Sequence, residues 1–63
     1  MNDWLVISID RNVHFIGSHN SCYIWIINNI KPELQDNYYM IPSTLCEKFG
    51  IDWLVEKMIE FYN

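Results

Sequence analysis

The run Cys22-Tyr23-Ile24-Trp25-Ile26-Ile27 is apolar on every side, and it lies in a stretch, Asn12 to Ile30, that contains no Asp, Glu, Lys or Arg. A chain of 63 residues buries only about 60% of the surface it exposes when unfolded. Whatever structure this run adopts must therefore be covered on both faces within a small fold, or leave an apolar patch that another surface covers. Self-association is the simplest such cover. The run is too short to span a bilayer, which takes about 20 apolar residues.

Propensity alone makes the run a strand, since β-branched and aromatic residues dominate it. Its surroundings favour a helix over Ser18 to Ile30. Ser18 is placed to cap and Ser21 falls three residues on; Cys22, Trp25, Ile26, Asn29 and Ile30 keep helical spacing, and Lys31 precedes Pro32 as a stop. Thirteen residues are long for a strand and ordinary for a helix. The alternative is a strand over 21–30 in a four-stranded antiparallel sheet.

Upstream, Trp4 to Ile9 alternates Leu5, Ile7 and Ile9 with Trp4, Val6 and Ser8, and Val13 to Ile16 resumes after Asp10-Arg11-Asn12. This reads as a β-hairpin whose Asp and Asn tolerate the left-handed backbone of a tight loop, with Gly17 closing the second strand. Pro32 to Asn37 reads as a polar connector, and Tyr38 to Ile41 as a short strand stopped by Pro42. Thr44-Leu45-Cys46-Glu47 has the form of a capping box, with Ser43 competing. Gly50 offers a left-handed stop, and Asp52 would cap a final helix through Tyr62. The expected order is β-β-α-β-α-α, one α+β domain over residues 1–63, built as a single pair of layers.

Charge is uneven along the chain. Residues 1–32 balance Asp3 and Asp10 against Arg11 and Lys31, whereas residues 33–63 set six acids against Lys48 and Lys57, which accounts for the whole net charge of -4. One arginine and three scattered lysines argue against nucleic-acid binding, and an acidic face suits a partner with a basic surface. The helix, Gly turn and helix over Ser43 to Tyr62 resemble a helix-turn-helix in outline. However, Glu56 falls where the second helix needs an apolar residue, and Asp52, Glu56 and Glu60 would repel phosphate.

No chemistry-bearing motif emerges. His14, His19, Cys22 and Cys46 could be metal ligands, but their spacing matches no strong zinc signature. No nucleophile turn is present and Glu56 with Glu60 reads as a solvated helix face, so neither an enzyme nor a cofactor is expected. The two cysteines read as small buried apolar residues of a reducing compartment. Asp3 stands where a secretory signal needs positive charge, so a cytoplasmic protein is expected.

The last helix carries the sharpest functional expectation. A helical wheel gathers Ile51, Leu54, Val55, Met58, Ile59, Phe61 and Tyr62 on one arc as core. Glu56, Lys57 and Glu60 fall opposite, with Trp53 among them. A tryptophan amid rim charges is the pattern of a protein-binding hot spot; alternatively it folds back over the Gly50 turn or packs on Lys57. Ten isoleucines and seven asparagines with no alanine suggest an AT-rich genome. The expectation is thus a small acidic protein-binding module, able to form a homodimer. Its most concrete form is a phage or mobile-element inhibitor that occludes a host defence or nucleic-acid enzyme. A DNA-binding regulator and a small metal-binding protein are the alternatives.

Overall fold

A computed structural model describes residues 3–62, the last of them through its backbone only. Three antiparallel strands, β1 (Trp4–Ser8), β2 (Val13–Gly17) and β3 (Tyr38–Pro42), form a sheet of order β2-β1-β3. Helix α1 (His19–Asn29) follows the hairpin, and α2 (Ser43–Phe49) and α3 (Ile51–Tyr62) complete a small α+β fold. The order is the expected one, and the segment 21–30 is helix rather than a fourth strand.

The layering differs from the expected pair. Because β1 is central, both of its faces need cover, and each receives helices. Leu5 and Ile7 pack with Ile41, Leu54 and Val55 on the α3 side, whereas Val6 packs with Cys22 and Ile26 on the α1 side. The sheet is the middle of three layers. Alternation along β1 therefore separates two cores rather than a core from solvent.

Local signals explain the helix ends in part. Ser18 Oγ accepts the Ser21 amide at 3.1 Å, and Ile30 N–H closes the other end on Ile26 O at 2.9 Å. Pro32 to Asn37 is a 3₁₀ turn rather than an open connector. Pro42 does not stop β3 but is its last residue, tolerated because β3 is an edge strand. The capping box is not used: α2 starts at Ser43 without a side-chain cap. Instead the Ser43 amide donates to Asp3 O at 2.8 Å, so a tertiary bond satisfies it. Gly50 has φ 86° and joins α2 to α3 through one residue, its carbonyl accepting Leu54 N–H. That places Asp52 inside the first turn of α3 rather than at its cap.

In the hairpin turn the left-handed residue is Arg11, with φ 71°, not the flanking Asp10 or Asn12. Their side chains instead hold the turn: Ser8 Oγ donates to Asp10 and Asn12 Nδ2 to Asp10 Oδ2 at 3.0 Å. The β1–β2 register steps here, since Val6 pairs with Phe15 but Ile7 with Val13. His14 is the extra residue of this β-bulge.

Candidate protein-binding surface

Helix α3 buries Leu54 and Val55, with Ile51, Met58 and Ile59 packed beside them. Phe61, expected in the core, is 82% exposed. The last turn runs past the packed cluster of Leu54 and Val55, so the ring lies outside that core. The side chain of Tyr62, expected on the same arc, lies outside the described residues.

Trp53 is 43% exposed. Its ring stacks on Phe49 across the Gly50 turn, with centroids 4.6 Å apart and planes 20° from parallel. Lys57 Nζ lies 5.6 Å from the Trp53 ring centre and Lys48 Nζ 5.3 Å from that of Phe49. Both alternatives to a free tryptophan thus hold at once, the fold-back over Gly50 and the lysine contact. Neither hides the ring. Leu45, four residues before Phe49, is also exposed, so an apolar strip runs along the outer side of α2 and α3.

The expected rim residues divide into two groups. Lys57 pairs with Glu60 at 3.3 Å beside Trp53. Glu56 turns the other way, toward Arg11 at 3.7 Å, and Asp52 meets the same guanidinium at 3.0 Å. A shallow cleft of about 610 Å³, bordered by Arg11, Cys46, Glu47 and Asp52, lies next to this bridge and does not include Trp53.

A second polar cluster was not anticipated in the sequence. The bulge brings His14 to the α1 side, where its ring lies 6.0 Å from Trp25 and 5.3 Å from Tyr38. Its Nε2 is 2.9 Å from the buried Ser8 Oγ. With the Ser8 proton directed to Asp10, the serine accepts from His14, so the hydroxyl sits between histidine and carboxylate. A nucleophile needs the histidine in the middle. The cluster is instead a lock on the hairpin turn, and the Ser8 bond holds the Asp10 carboxyl below its ordinary pKa.

The candidate metal ligands are not brought together. His19 packs edge-on against Trp4, 4.6 Å away at the start of β1, while His14 sits at its far end. Among the described residues no three His, Cys, Asp or Glu side chains converge as ligands would. Cys22 is buried, Cys46 half-buried, and both are free thiols. Burial pushes both thiols up in pKa, which keeps them protonated and weakly nucleophilic. No described helix is long and apolar enough to cross a membrane.

No protein-family model, curated protein or solved structure matches this chain.

Proposed function

We propose that this chain is a small protein-binding module that docks a partner through the outer face of α2 and α3. Trp53 is the anchor, Lys57 and Glu60 form the rim beside it, and Glu56 marks the far edge, where it faces Arg11. The observation that carries this reading is the Phe49–Trp53 stack: two large rings, each less than half exposed, held against one another before any partner arrives. An anchor already fixed by stacking loses little rotamer freedom on binding, which favours affinity. The net charge of -4 carried by residues 33–63 suits a partner with a basic surface, chiefly by speeding encounter.

Such a module acts by occupying a surface rather than by chemistry. In its most concrete form it is an inhibitor from a phage or mobile element whose acidic half competes for a site built to hold phosphate. Two unpaired thiols fit a reducing, cytoplasmic setting. Affinity capture from the native host tests the reading. A protein enriched on the wild type and on an Ile24→Asp variant, but lost on Trp53→Ala, is the expected result. No protein with that pattern, or retention on heparin at moderate salt, would sink it.

A further inference from the structure

Helix α1 presents a separate surface, across the sheet from Trp53. It buries Cys22 and Ile26 beneath it, yet Tyr23, Ile24 and Ile27 on its outer side remain 55%, 47% and 49% exposed. We propose that this face is a homodimer interface, in which the α1 helices of two copies pack antiparallel about a two-fold axis near Ile24.

Charge singles out a second copy as the occupant. Each copy carries a net -4, all of it contributed by residues 33–63, so two copies approach most easily where neither presents an ionised group. From Asn12 to Ile30 there is no Asp, Glu, Lys or Arg, and α1 lies wholly inside that stretch. A basic partner drawn to the acidic half finds no opposite charge here, whereas an identical neutral face meets no repulsion.

The face is also self-complementary. Asn20 lies one turn before Ile24 and Asn28 one turn after it, and both are exposed. Antiparallel packing about Ile24 sets each Asn20 opposite Asn28 of the second copy. An amide both donates and accepts, so that pair can bond in either direction. Tyr23, Ile24 and Ile27 then close an apolar centre inside a neutral polar rim, the usual anatomy of an interface. Eleven residues of helix cover well under the roughly 800 Å² per partner of a standard interface, so the dimer is a reversible one. Because α3 packs on the opposite face of the sheet, the dimer leaves both copies of Trp53 free. It stands whether or not Trp53 binds a partner.

Sedimentation equilibrium on the full chain tests this. The wild type should show a monomer–dimer equilibrium whose constant changes less than about threefold between low and high salt, since the contact is neutral. Ile24→Asp, at an exposed helical position, should weaken it at least about tenfold with an unchanged far-ultraviolet circular dichroism spectrum. Joint replacement Asn20→Asp and Asn28→Lys should keep or tighten an antiparallel dimer and would separate a parallel one. Monomer at every concentration would overturn the proposal. So would a dimer that survives Ile24→Asp but is lost in Ile16→Asp, because Ile16 is exposed on the β2 edge strand.

Discussion

Arg11 Nε lies 3.0 Å from Asp52 Oδ1, tying the hairpin turn to the first turn of the last helix. The pair is solvent-exposed, so Asp52→Asn should cost no more than about 1 kcal/mol and the loss should fade in high salt. Arg11 also occupies a left-handed backbone conformation that costs a side-chain-bearing residue about 1 kcal/mol. Arg11→Gly should therefore be more stable than Arg11→Ala by about that amount, although both lose the ion pair. Urea unfolding of the three variants measures both differences, and equal midpoints for glycine and alanine would refute the strain argument.

Trp53 and Leu54 are neighbours with opposite surroundings. Leu54 is buried against Ile7 and Ile41, so Leu54→Ala should cost about 2–5 kcal/mol of stability. Trp53→Ala removes the stack on Phe49 and should cost about 1 kcal/mol, while weakening partner binding by about 2 kcal/mol or more. Thermal unfolding of the pair, read beside binding to a captured partner, separates the roles. Equal destabilisation would assign Trp53 to the core.

The thiols should prove dispensable for binding. Cys22 is fully buried with its sulfur 3.4 Å from Trp4 O, so Cys22→Ser should cost about 1–3 kcal/mol, the range for a hydroxyl placed in an apolar site. Cys46→Ser should cost less because that site is only partly covered. A thiol reagent at neutral pH should label Cys46 before Cys22. Labelling in the reverse order would show that the α1 core opens more readily than the α2 surface.

Asp10 makes the hairpin lock sensitive to acid. Its carboxyl is held below its ordinary pKa, first by the Ser8 hydroxyl and then by Asn12. The folded state thus binds this proton less readily than the unfolded chain does. The contribution is fully present above the unfolded carboxylate pKa and disappears as pH falls through the lower, folded value. Ser8→Ala should shrink this acid-side loss when unfolding is followed from neutral pH to about pH 2, and an unchanged profile would show that the Ser8 bond does not set it.

Element order was legible in the residues because each signal acts over a few positions. Ser18 caps α1 through a bond three residues long, and Gly50 turns the chain by its own backbone freedom. The same local reach explains what could not be read. The Thr44 box lost to the Ser43 bond with Asp3, a partner forty residues away in the chain. Periodicity placed Phe61 in the core because a wheel knows a helix's sides but not where its neighbours end. His14 joined Ser8, Trp25 and Tyr38 through a bulge that depends on the register between two strands. For α1, the residues alone showed that the run from Cys22 to Ile27 needs cover on all sides. Only the stacking of α1 and α3 on opposite faces of one small sheet decided which side went without: a central strand takes helices on both faces, and no further layer remains to cover Tyr23, Ile24 and Ile27.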